Sequence, residues 1–341
     1  MTSTSALRAA MVPVTRQMRA YFAPVNRETE APTIFDPGLS GTFPLDSPPT
    51  PWVDLGWIEN FARWYDTPTD VVRSGAKGLA AAQFRGALEA RVEFDFRQWG
   101  KLQMALAGGS EHMNVLATAA GSASPSPSGG TPAPGVAVLP GSTASELVFG
   151  TGVASAFSPG CLIAVDCDYQ QQTGYVGSGI AAAYVSSAAA VKRDPNYVRR
   201  VTFNVGRVAE VTATSVLLAQ PLLGGVPAAG ASAQVVAAFV DREGGSFFQE
   251  WSALFVAEEE SGGRVCFYYP RLSPNPGAGS GKGASSAGGK FVREEFSAVE
   301  KTWSAISLRA SFLALPYTDT NDGQKVLCYR SYFPAGMAGA Y

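Results

Sequence analysis

The chain has 341 residues, enough for two folded units. Only 16% are charged, against roughly a quarter in an ordinary soluble protein; Gly 37, Pro 23 and 46% hydrophobic residues complete a composition suited to an exterior covered by neighbouring subunits or to long neutral loops. Lys plus Arg total 26 and Asp plus Glu 28, a formal net charge of -2, so no basic excess is available to neutralise a phosphate backbone as an adhesive nucleic-acid binder requires.

Residues 1–50 are expected to be an extended N-terminal arm. The start, MTSTSALRAAM, lacks the continuous apolar stretch of a signal peptide. The segment that follows is dense in proline, which removes amide donors and disfavours helix. Phe22, Ile34, Phe35, Leu39, Phe43 and Leu45 are spaced along it as apolar anchors. Two readings stay open: an arm lying over another surface, such as a neighbouring subunit, or a disordered leader.

The stretch from Pro51 to Met113 carries most of the information. It reads PWVDLGWIENF, then DVVRSGAKG, then ALEARVEFDFRQWGKLQMALAGG. A Trp-bearing extended entry leads to a polar, glycine-marked bend and then to a strand. Leu88, Ala90, Val92, Phe94 and Phe96 alternate with Glu89, Arg91, Glu93, Asp95 and Arg97, the clearest period-two pattern in the chain. Trp99, Leu102, Met104, Ala105 and Leu106 predict a short helix closed at Gly108-Gly109.

Residues 117–135 form a low-complexity loop, as does the Gly/Ser-rich run 276–289. Between them, 146–240 reads as a separate small all-β unit, with part of one larger barrel as the alternative. Its strands are predicted at Glu146–Phe149, Cys161–Val165, Tyr197–Phe203, Gly206–Thr212, Ser215–Leu218 and Ala233–Val240; the phrase SPGCLIAVD resembles the entrance to SH3-like barrels. From 246 to 256 strand and helix are both open. RVCFYYPRL is a strand, and SAISLRASFLALPY is a second half-buried one, with Ile306, Leu308, Ala310, Phe312 and Ala314 on one face and Ser307, Arg309, Ser311 and Leu313 on the other. QKVLCYRSYFP closes the chain after a DTNDG turn.

Chemistry-bearing motifs are weak. His112 is the one histidine, so a Ser-His-Asp or Cys-His arrangement would have to run through it; a capping or surface role fits it better. Cys161 and Cys167 stand six residues apart on a predicted strand, about 20 Å along it, too far for a disulfide without a turn. With Cys266 and Cys328 they read as reduced core residues of a cytoplasmic compartment. Glu258–Glu260 form a run and not a facing pair. GTGVASAFSPG lacks the Lys and Ser/Thr ending of a phosphate loop, and GSGKGASSAGGK lies in low-complexity sequence. No metal, cofactor or catalytic step is expected, and no window reaches the length of a membrane span.

The order of entry strand, bend, alternating strand and short helix resembles the opening of the major tail tube proteins of tailed bacteriophages. The likeness covers roughly 50–116 and 241–341, about half the chain. It implies a mainly β fold: a tail-tube-type β-sandwich or barrel core with a flanking helix, built from 51–145 and 241–341; the inserted SH3-like domain at 146–240 departs from the plain family pattern. It further implies homo-hexameric rings stacked into a tube, a virion protein made in the host cytoplasm. Its partners would be a tape-measure-type protein and passing DNA in the lumen, and tail terminator and baseplate-type proteins at the ends. On this mapping Glu89, Arg91, Glu93, Phe94, Asp95, Arg309 and Ser311 lie on strands lining the lumen or supporting it. Asp66, Asp70, Arg73 and Lys77 belong to a loop reaching the adjacent ring. A capsid or capsid-decoration protein is the rival; an enzyme would need a cleft joining His112 to Cys161 or Cys266.

Overall fold

The computed structural model describes residues 18–26, 28–38, 43–67, 69–74, 79–86, 88–117, 133–167, 196–242, 249–259, 262–275 and 308–333. Within them the chain is mainly β. The first part supplies β1 (Met18–Pro24), β2 (Val53–Asp66), β3 (Thr69–Ser74), β4 (Leu79–Arg85), β5 (Glu89–Phe96) and the helix α1 (Lys101–Gly108). Next come β6 (Glu111–Leu116), β7 (Val136–Ala137), β8 (Glu146–Val148), β9 (Leu162–Asp166), β10 (Val205–Val211), β11 (Ser215–Leu218) and β12 (Ser232–Arg242). The last part gives β13 (Trp251–Glu258), β14 (Arg264–Pro274), β15 (Leu308–Ala314), β16 (Tyr317–Thr318), β17 (Lys325–Val326) and β18 (Tyr329–Phe333).

Six antiparallel strands close into a barrel in the order β13-β1-β2-β5-β15-β14, and β14 pairs back onto β13. One edge of β14 is shared. Its Arg264–Tyr268 half holds β18, and Leu272–Pro274 holds β15. Closure removes sheet edges that would otherwise invite pairing with other chains. The interior is aromatic: Phe94 lies 5.6 Å from Phe312 in a stacked pair and 5.3 Å from Phe255, and Phe22 packs 5.3 Å from Phe312.

The alternation in β5 and β15 falls as the sequence predicts from Ala90 and from Leu308 onward; Leu88, expected on the buried face, is 49% exposed, and Ile306 and Ser307 lie outside the described residues. Ala90, Val92, Phe94 and Phe96 are buried inward, as are Leu308, Ala310, Phe312 and Ala314. The helix also lies where expected, buries Leu102, Ala105 and Leu106, and ends on Gly109 at φ 59, the left-handed conformation that glycine adopts without a Cβ clash.

β2 bends twice. Gly56 (φ 82) and Asn60 (φ 54) each take the left-handed conformation, and the pairing of β2 with β5 shifts register between Glu59 and Ala62. An extra residue at a bulge turns the side chains beyond it to the other face. Phe61 thereby comes 4.8 Å from Phe255 at the barrel interior, and the Arg63 guanidinium stacks 4.6 Å from the Phe267 ring.

The N-terminal segment departs from an arm aimed elsewhere. Met18–Pro24 is a barrel strand lying between β2 and β13. Phe35 and Trp52, with Phe43 and Leu45, pack over the outer face of the barrel on Tyr21, Leu254, Val256 and Tyr268. Tyr21 donates to Leu45 O (3.0 Å), Tyr268 donates to Thr33 O (2.8 Å), and Arg19 holds both Asp46 (2.7 Å) and Asp54 (2.5 Å).

The second sheet runs β6-β12-β9-β10-β11-β8, with β7 beside β6 along β12. It thus draws in Glu111–Leu116, upstream of the 146–240 unit read from sequence. Its own core gathers Leu147, Phe149, Ile163, Val165, Val208 and Val216. Its other face joins the barrel: Met113, Leu116, Ala164 and Val236, with Val201 and Phe203 from the segment between β9 and β10, belong to the same hydrophobic cluster as Leu102, Leu106 and the barrel interior. Tyr197–Phe203 was predicted as a strand and is a correction, because Arg199–Phe203 is a wide helical turn. Tyr197, Val198, Val201 and Phe203 are all buried, a helical spacing read as a strand for its valines. The neutral loops 118–132 and 276–289 lie outside the described residues.

Candidate functional site

Of the residues predicted for a lumen or its support, all but Phe94 lie on the outward side of β5 and β15. β5 pairs with β15 in the register Arg309↔Asp95, Ser311↔Glu93 and Leu313↔Arg91. Asp95 is 3% exposed although it points out of the barrel. Arg309 Nε donates to its Oδ1 (3.0 Å), and Asn60 Nδ2 donates to its Oδ2 (2.6 Å). The Asn60 bulge therefore serves a second purpose, aiming an amide at a covered carboxylate. Asp95 in turn raises the Arg309 pKa above its ordinary value through that hydrogen bond. On the neighbouring rung Glu59, opposite Asp95, pairs with Arg97. Glu89 and Arg91 are exposed, and Glu93 is half-buried. Phe94 belongs to the interior and reaches none of these groups. Ser311 is buried, and its hydroxyl has no partner among the described residues.

The loop predicted to reach an adjacent ring is an antiparallel hairpin, β3 with β4, a two-stranded sheet of its own. Asp66 ends β2, Asp70 is exposed on β3, and Arg73 lies on β3 opposite Ala80. Lys77 falls outside the described residues. At the foot of the hairpin Trp64 is 56% exposed, Tyr65 55% and Leu88 49%, and Val71 on β3 is 42% exposed. Trp64 and Tyr65 are successive on β2, opposite Arg91 and Ala90, so their side chains project to opposite faces of the sheet.

A second polar cluster escaped the sequence reading. His112 was expected at a cap or on the surface and is instead 2% exposed, within β6 opposite Asp241 of β12. Its Nε2 lies 2.9 Å from Thr202 Oγ1, and its backbone carbonyl accepts from the Tyr197 hydroxyl. Burial, and then the nearby charge of Lys101, push its pKa down to about 3, so the ring is neutral at ordinary pH. Lys101 opens α1, where the exposed helix amides already disfavour positive charge. Its Nζ donates to Asn114 Oδ1 (3.0 Å) and to the Val201 carbonyl. Burial lowers its pKa to about 7. Asn114 is 1% exposed, and its Nδ2 has no hydrogen-bond partner among the described residues. Beside His112, a cavity of about 10 Å³ lies among Leu106, Ser110, Tyr197, Gln249, Trp251 and Pro274, room for about one water.

The sequence could have signalled this cluster only weakly. His112 and Asn114 share one face of β6, but Lys101 lies on a helix 13 residues before Asn114, and Thr202 is 90 residues from His112. Of the cysteines, Cys266 is buried and Cys161 and Cys328 are half-buried, whereas Cys167 is exposed. Cys161 and Cys167 flank β9, all four are free thiols, and Cys266 lies on β14 of the barrel. Among the described residues no group of three His, Cys, Asp or Glu could hold a metal ion, and no described helix is long and apolar enough to cross a membrane.

No protein-family model and no curated protein matches the chain.

Proposed function

We propose that this chain is a structural subunit of the tail-tube type, assembling into hexameric rings that stack into a conduit. The observation that carries the reading is the β3–β4 hairpin, which leaves the barrel between β2 and β5 with Trp64, Tyr65 and Leu88 exposed at its foot. A closed barrel with a short helix beside it is a rigid body, and a two-stranded sheet extending from it is a reach element. Marginally stable in isolation, such a hairpin gains its support from the copy it docks on.

In this reading the charged exterior of β5 and β15 faces the lumen or the wall just behind it. Glu89, Arg91 and Glu93 alternate in sign there, and Asp95 with Arg309 neutralise each other. A surface of that kind holds neither DNA nor a tape-measure-type protein tightly and lets both pass. The chain acts on no substrate, and it resides in the tail of the virion after synthesis in the host cytoplasm.

The test exchanges Trp64 and Leu88 for Glu together. Both side chains are exposed, so the monomer fold is expected to persist by circular dichroism, with assembly lost by light scattering. Assembly that proceeds unchanged in the double variant removes this surface from the account.

A further inference from the structure

The Lys101–Asn114 pair has the arrangement of two groups about to condense. The amine is 3.0 Å from the amide oxygen, and Asn114 is 1% exposed. Two features are costly as they stand. An ammonium is held at a helix N-terminus without an acidic residue in the first turn. A buried amide donor, Asn114 Nδ2, has nothing to bond among the described residues, and such an orphan loses its hydration without compensation.

We infer that Lys101 and Asn114 form an intramolecular isopeptide bond, made by the folded protein without a cofactor. The free amine of Lys101 attacks Asn114 Cγ, the new Nζ–Cγ bond forms, and the electron pair of the C=O moves to Oδ1. The carbonyl re-forms as the Cγ–Nδ2 bond breaks. One proton passes from Nζ to Nδ2, which leaves as ammonia. No oxidant or reductant is needed, and the balance is amine plus primary amide giving secondary amide plus ammonia.

The surroundings favour each requirement. Burial lowers the Lys101 pKa to about 7, so a sizeable fraction is the nucleophilic free amine near neutrality. The unpartnered Nδ2 is the leaving group, and no hydrogen bond has to be broken for it to depart. His112, two residues before Asn114 on the same face of β6, is neutral and adds no competing positive charge beside the amine. The same burial slows hydrolysis of the amide and its competitors. The product fastens the start of α1 to β6, where the helix, the wide turn at Val201 and the second sheet meet.

Intact-mass measurement of the purified full-length protein, denatured, tests the inference. The expected mass is lower than that of the sequence by one ammonia. Trypsin is expected to miss Lys101, leaving one peptide from Gln98 to Lys192, with no fragment ions between Lys101 and Asn114. K101R is expected to have the full sequence mass, and N114D to be lighter by one water, since a carboxyl condenses with loss of water instead. A wild-type mass equal to the sequence overturns the inference. So does an ammonia loss that persists in K101R with cleavage after position 101 intact, the mark of a succinimide at Asn114.

Discussion

Asp95 and Arg309 are 214 residues apart in the chain and meet face to face across β5 and β15, with Nε 3.0 Å from Oδ1. The Asp95 side chain is almost fully covered, whereas that of Arg309 is 47% exposed. Asp95 therefore depends on Arg309 and Asn60 more than either depends on it.

Arg309→Met is expected to destabilise the protein by about 1–3 kcal/mol, below the 3–5 typical of a broken buried pair because the arginine is half in water. Replacing Asp95 by Leu in the same chain is expected to recover part of that loss, since no covered charge is then left unpaired. Urea unfolding of the single and double variants reads both values. Equal or greater loss in the double variant contradicts the assignment.

Phe94→Asp is expected to prevent folding, whereas Glu93→Gln is expected to change stability by less than about 0.5 kcal/mol. Phe94 is 1% exposed within a cluster of four other aromatic rings. The substitution discards packing worth about 3–5 kcal/mol and adds a carboxylate to an apolar interior. Glu93 is on the outward side of the same strand. Thermal melts that coincide for the two variants would place the wrong face inward.

The legibility of these strands has a physical cause. β5 and β15 face the packed interior on one side and a charged exterior on the other, so period two is written in their residues. β1 and β13 lack that contrast. Tyr21, Leu254 and Val256 point outward yet lie beneath Phe35, Phe43 and Trp52, so both faces are apolar. The sequence at β13 then fits helix or strand, and β1 disappears into a proline-rich stretch. The hairpin β3–β4 was legible as a loop with a glycine-marked bend, though its strand pairing was not. The Lys101, His112 and Asn114 cluster left almost no trace, because the lysine lies on α1 and the other two on β6, and no short spacing links them.

Stability is expected to fall as acidity rises from pH 6.5 toward 3. The His112 pKa is lowered in the folded state from 6.5 to about 3. Between those values the unfolded chain takes up a proton that the folded chain refuses, so the folded state loses about 1.4 kcal/mol per pH unit at most. Above pH 6.5 both states are neutral at this residue and the contribution is flat. The neighbouring titratable groups are Lys101 on α1, Glu111 on β6 and Asp241 on β12. His112→Gln is expected to flatten the profile in urea titrations at several pH values; a variant with the wild-type slope would assign the acid sensitivity to other groups.

Electron microscopy of the purified, negatively stained protein tests the assembly most directly. Six-fold rings and stacked tubes are the expected result, lost when Trp64 and Leu88 are both exchanged for Glu. Compact monomers at high protein concentration, or closed icosahedral shells, would contradict the tube.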